Sequence, residues 1–111
     1  MKIGVIKETQ KGEKRVAISP NISKLLIEKG FELLVEEDAG LASSYKNSDY
    51  ESAGAKIVSR ETLFNESTVL IKINPFDEDD LKLVNNTQIL MSQLYYKSNA
   101  ELIKSIAANP I

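Results

Sequence analysis

Arg15 and Lys72 are cations set against apolar sequence, and each is placed where chemistry could be done. Arg15 lies in "GEKRVAISP", after a glycine-bearing polar loop and before the apolar "VAI". A guanidinium there can clamp a carboxylate or phosphate through two parallel N–H bonds. The alternative is a surface arginine paired with Glu13 or another acid. Lys72 lies in "VLIKINP", near the C-terminal end of an apolar run. Ligands of open α/β sheets gather at the carboxyl ends of strands, and a lysine is costly to bury there without a partner. The alternative is an edge strand whose lysine stays in water and blunts the edge. Tyr95 and Tyr96 follow the next apolar run at the same kind of position. A phenol there can hydrogen-bond a ligand, and an aromatic pair can equally pack at an edge or interface. The acids Asp77 to Asp80 suggest a cation site, but the positive end of a helix dipole explains them more simply. Glu36 to Asp38 reads as a solvated turn.

Composition removes several function classes. The 111 residues fit one domain with one core, and net charge is −2 with acids and bases intermixed. No basic patch of the kind nucleic acid requires is present. With no cysteine there is no disulfide framework, thiolate zinc site or cysteine nucleophile. With no histidine the commonest general base and metal ligand is missing. No metal site is expected. The start "MKIGVIKETQ" lacks the apolar stretch of a signal peptide, and no run approaches the ~20 residues of a membrane span. The chain reads as cytoplasmic, or on the cytoplasmic face of a larger assembly.

Strand and helix signals alternate along the chain. "KIGVI" is a short β-branched strand. Ser19-Pro20 opens a helix with a capping hydroxyl and a first-turn proline. Ile22, Leu25 and Leu26 are expected to form its apolar face, and Gly30 to end it. "FELLVE" has the continuous apolar character of a strand buried on both faces. Ser48 and Glu51 have capping-box spacing over a helix ending at Gly54. "AKIV" is a strand, "RETLF" a weak helical turn, and "STVLIKI" the clearest strand of all. "DEDDLKLV" predicts a short helix and "QILMSQL" another strand. A last helix follows Ser98 and Glu101, with Leu102, Ile103, Ile106 and Ala107 on one face.

This alternation predicts an α/β fold: a Rossmann-like (flavodoxin-like) layered parallel sheet with helices on both faces and right-handed crossovers. Residues 1–111 form one unit without linker or repeat. Pro110 ends the last helix and Ile111 would begin a further strand, so the domain is expected to be truncated. Its open sheet edge then predicts self-association. Neither G-x-G-x-x-G nor G-x-x-x-x-G-K-[ST] occurs, so no known phosphate loop is present.

The stretches "MKIGVIKETQKGEKRVAISP", "LLIEKGFELLVEEDAGLASSYKNSDYESAGAKIV" and "VLIKINP" together resemble the N-terminal domain shared by alanine dehydrogenases and the alpha subunit of proton-translocating NAD(P) transhydrogenase. The resemblance runs from Met1 to the chain's end. It implies that an NAD(H)-binding Rossmann domain follows, so NAD(H) is bound by the full-length protein and no cofactor-binding residue lies in this chain. In alanine dehydrogenases the residues matching Arg15 and Lys72 hold the oxo acid, by its carboxylate and carbonyl respectively. Those enzymes also need an acid–base histidine, and Tyr95 stands at its position here.

"KIN" (Lys72 to Asn74), the aromatic Tyr95 and "NAEL" (Asn99 to Leu102) resemble the transhydrogenase branch more closely. That branch passes hydride between NAD(H) and NADP(H), coupled to proton translocation. Its partners are the rest of the alpha subunit and an NADP(H)-binding membrane subunit, with a homodimer expected in the full protein. In this reading no catalytic residue lies here, the chain is inactive alone, and Arg15 pairs with an acid or with the polar loop. The alternatives are an alanine dehydrogenase-like oxidoreductase and a non-catalytic interaction domain.

Overall fold

Alternation along the first strand sets the two faces of the molecule. The computed structural model describes residues 1–92. In β1 (Lys2–Val5), Ile3 and Val5 enter one core cluster, while the next residue, Ile6, enters the other. β2 (Glu32–Glu36) divides likewise, with Leu33 and Val35 on the first face and Leu34 on the second. The remaining strands are β3 (Lys56–Val58), β4 (Val69–Ile71) and β5 (Ile89–Met91). All pair in parallel, in the order β3-β2-β1-β4-β5. This is the Rossmann order; flavodoxin-like sheets run 2-1-3-4-5. β1 is therefore a central strand and β4 an interior one.

Helices cover both faces. α1 (Pro20–Glu28) and α2 (Asn47–Ser52) pack over the first through Leu26, Ile27 and Tyr50. α3 (Arg60–Glu66) and α4 (Glu78–Leu83) pack over the second through Leu63, Phe64 and Leu81. The ends of α1 follow the sequence closely. Ser19 caps it by accepting the Ile22 N–H, Pro20 is its first residue, and Gly30 follows with φ +99°.

Its apolar face differs from expectation. Ile22 and Leu25 are 46% and 51% exposed, and Ser23, Leu26 and Ile27 face the sheet instead. Ser23 can be buried because its hydroxyl donates to the Ser19 carbonyl. Leaving Ile22 outside costs little, since isolated apolar residues are common on protein surfaces. α2 also begins earlier than predicted. Lys46 is the cap residue and Asp49 accepts its backbone N–H at 2.8 Å, so the Ser48–Glu51 box does not form. "RETLF" is more than a weak turn. Ser59 caps a seven-residue helix that buries Leu63 and Phe64.

Candidate functional site

The chain leaves β1 for β2 on one side and returns to β4 on the other, which makes a switch point at the carboxyl ends of β1 and β4. Such crevices are where doubly wound sheets receive ligands. The loop after β1 and the segment after β4 meet here through side chains. Glu8 accepts the backbone N–H groups of Ile73 at 2.9 Å and Asn74 at 3.1 Å, and the Asn74 amide at 3.0 Å. The same Asn74 Nδ2 donates to Glu13 at 3.0 Å. Glu13 in turn accepts from Arg15 at three atoms: Nη2 at 2.8 Å, Nε at 2.9 Å and the backbone N at 2.9 Å. The guanidinium bonds, then the Arg15 backbone N–H and Asn74, hold the Glu13 carboxyl at about 2 against its ordinary 4.5. Arg15 thus pairs with Glu13, one of the two outcomes its sequence allowed. Lys7, Glu8, Glu13, Arg15 and Asp38 line the polar side of a cavity of about 300 Å³, with Ala39, Leu41 and Ala42 on its apolar side.

Lys72 follows β4 on the sheet's second face. It is 5% exposed, so the solvated edge-strand alternative is corrected: pairing of β4 with both β1 and β5 takes this position inside. Its ammonium donates to Asp80 Oδ2 at 3.0 Å and stands 5.8 Å from the Phe76 ring centre. Asp80, 1% exposed, also accepts from Arg60 and from the Asp77 backbone N–H. Arg60 continues to Glu36 at 3.3 Å and lies 4.8 Å over the Phe64 ring. Glu36 closes the array by accepting the Lys7 N–H at 3.0 Å. Two cations and two carboxylates therefore neutralise one another beneath the switch point. Burial opposes the Asp80 charge, but the Asp77 N–H, Lys72 and Arg60 together keep its carboxyl below the usual range.

Two sequence readings are corrected here. Asp77 does cap α4 by accepting the Asp80 N–H, as dipole chemistry suggests, yet Asp80 itself is a buried counter-ion. Glu36 belongs to β2 and is buried, so "EED" is not wholly a solvated turn. Arg60 was not singled out by its sequence. The only local hint was a cation opening a helix whose next turn carries Phe64. Among the described residues Arg15 and Lys72 line different cavities, Lys72 one of about 360 Å³ with Ala17, Ile71, Ile73, Met91 and Ser92. Tyr95, Tyr96, the helix predicted after Ser98 and Ile111 lie outside the described residues. Among the described residues no helix is long and apolar enough to cross a membrane.

The comparisons agree with this architecture. Alanine dehydrogenase of Staphylococcus haemolyticus is 35% identical over 111 residues, which is all of this chain and 30% of that protein. Alanine dehydrogenase 1 of Staphylococcus aureus is 33% identical over 106 residues, 96% of this chain and 28% of the relative. The chain thus spans under a third of the curated relatives it matches. The crystal structure of transhydrogenase from Sinorhizobium meliloti superposes with TM-score 0.90 at 26% identity, over 96% of this chain and 32% of that one. An L-alanine dehydrogenase structure gives TM-score 0.90 at 28% identity, over 98% and 30%. The family model "Alanine dehydrogenase/PNT, N-terminal domain" matches residues 4–111, and the chain belongs to that family of oxidoreductase domains.

Proposed function

We propose that this domain is the N-terminal part of an NAD(H)-linked oxidoreductase of the transhydrogenase type. That protein passes hydride between NAD(H) and NADP(H), coupled to proton translocation by a membrane-bound partner. One observation carries the reading. Both cations that would grip an oxo acid in an alanine dehydrogenase are engaged by internal acids, Arg15 by Glu13 and Lys72 by Asp80. The absence of histidine from the whole chain agrees, since it removes the acid–base residue of the amino-acid reaction.

The residues present do not fit a dinucleotide. The loop after β1 runs from Ile6 to Ser19 before any helix starts, and Glu8 and Glu13 put carboxylates where a pyrophosphate would need N–H groups. NAD(H) is therefore assigned to the following part of the protein, and this domain supplies one wall of the cleft. The second reading, an alanine dehydrogenase branch, is favoured by 35% identity across the whole chain.

Two assays of the whole protein separate them: hydride exchange between NADH and an NADP⁺ analogue in membranes carrying its partner, and alanine-dependent reduction of NAD⁺. The first reading expects exchange without alanine oxidation. Alanine oxidation without exchange would overturn it.

A further inference from the structure

We propose that Arg60 is a positioning residue of the cleft: acting through Glu36, it fixes the loops after β1 and β2 and so sets the affinity of the whole protein for NAD(H). The link to NAD(H) rests on the functional reading above. Arg60 opens α3 and is not among the residues lining the cavity of about 300 Å³ at the switch point. Glu36 ends β2 and serves both loops. Its Oε1 accepts the Lys7 N–H at 3.0 Å and Arg60 Nη1 at 3.3 Å. Its main-chain carbonyl accepts the Ala39 N–H at 3.0 Å. Lys7 and Glu8 of the first loop and Asp38 and Ala39 of the second all line that cavity. One residue thus fixes where the chain goes on leaving β1 and where it goes on leaving β2.

Arg60 holds Glu36 from beneath. Its Nη2 donates to Asp80, which Lys72 and the Asp77 N–H hold in turn. Its guanidinium also lies over the Phe64 ring. Without Arg60 the array keeps one cation, Lys72, for two buried carboxylates. Glu36 must then take up a proton or swing toward water. Either change weakens its charge-assisted bond to Lys7. Arg60→Lys replaces this only in part, because a single ammonium lacks the fork that meets both acids.

The test is hydrogen–deuterium exchange of the whole protein, read by mass spectrometry, together with NADH affinity read by NADH fluorescence. In Arg60→Gln, segments 7–15 and 37–43 are expected to exchange about tenfold faster, and NADH to bind about tenfold more weakly. Adding Glu36→Gln removes the stranded charge, returns a neutral acceptor to Lys7 and recovers part of both losses. Leu63→Val loosens the packing of the same helix and lowers the melting temperature without singling out these segments. Arg60→Lys lies between and is read in the same way if Arg60→Gln does not fold. Loop segments that exchange no faster than in Leu63→Val, or no recovery on adding Glu36→Gln, overturn the proposal. Faster exchange with unaltered NADH affinity overturns the link to NAD(H). Failure of the functional reading shows itself elsewhere, as alanine-dependent NAD⁺ reduction by the unaltered protein, and leaves the exchange difference unaffected.

Discussion

Asp80 carries more of the molecule than its neighbours in "DEDD". Its carboxylate meets Lys72, Arg60 and the Asp77 N–H while almost wholly removed from water. Removing one partner of a buried pair strands the other, which costs about 3–5 kcal/mol. Asp80→Asn is therefore expected to lower unfolding free energy by about 3 kcal/mol at neutral pH, measured by urea denaturation. The pH dependence has a definite sign. The folded carboxyl takes up a proton less readily than the unfolded one. Its stabilisation is complete above the ordinary value of 3.8 and is lost as pH falls through and below it. Melting curves between pH 6 and 2 should show a steeper loss for the unaltered chain than for Asp80→Asn. Equal slopes would remove Asp80 from this role. The sequence could not disclose it, because each acid looked locally sufficient. "DEDD" has a helix to cap and "EED" has a turn to occupy, while Arg60, the cation joining Asp80 to Glu36, is at least 20 residues from either.

At the level of elements, local chemistry was the legible part. Ser19-Pro20, Gly30 and Gly54 bound their helices because caps and positive φ are decided within a few residues. Which side of α1 meets the sheet was not legible. Ile22, Leu25 and Leu26 lie close enough on a helix wheel to suggest one face, but the sheet selects Leu26 with Ile27 and turns the other two outward. Contact between β1 and the turn before β4 gives a sharper test. A Cβ on Gly4 would overlap the Ser67 hydroxyl and approach Ser67 Cβ to 2.8 Å. The Ser67 Oγ is itself buried with no hydrogen-bond partner among the described residues. Ser67→Ala should thus be neutral or stabilising by up to about 1 kcal/mol. Gly4→Ala should be destabilising by about 2 kcal/mol, and less so when combined with Ser67→Gly. A double-mutant cycle in thermal unfolding measures the coupling. No coupling would mean the strands do not approach as described.

The whole molecule is asymmetric at its two sheet borders. β3, on one side, presents the exposed Lys56, a charge that discourages further pairing. β5, at the other border among the described residues, exposes Ile89 and Met91 at 48% and 51%. The chain alone is therefore expected to self-associate through β5, and Met91→Lys to suppress this. Sedimentation velocity over a hundredfold concentration range decides it; a concentration-independent monomer would refute the expectation. The parallel sheet itself was readable from strand–helix alternation, but its order was not, since right-handed crossovers with short links allow both the order seen here and the flavodoxin-like one.

The position of β1 also imposes a timetable. It is made first, yet its second neighbour, β4, leaves the ribosome more than sixty residues later. Until then Ile3 to Val5 have one open side, and Glu8 lacks the Ile73 and Asn74 donors it is shaped to meet. The loop bearing Arg15 cannot settle while the nascent chain is shorter than this. A stall in translation anywhere between β2 and β4 would thus present a half-finished central strand to chaperones, with the loop after β1 already synthesised and the donors that anchor its Glu8 still to come.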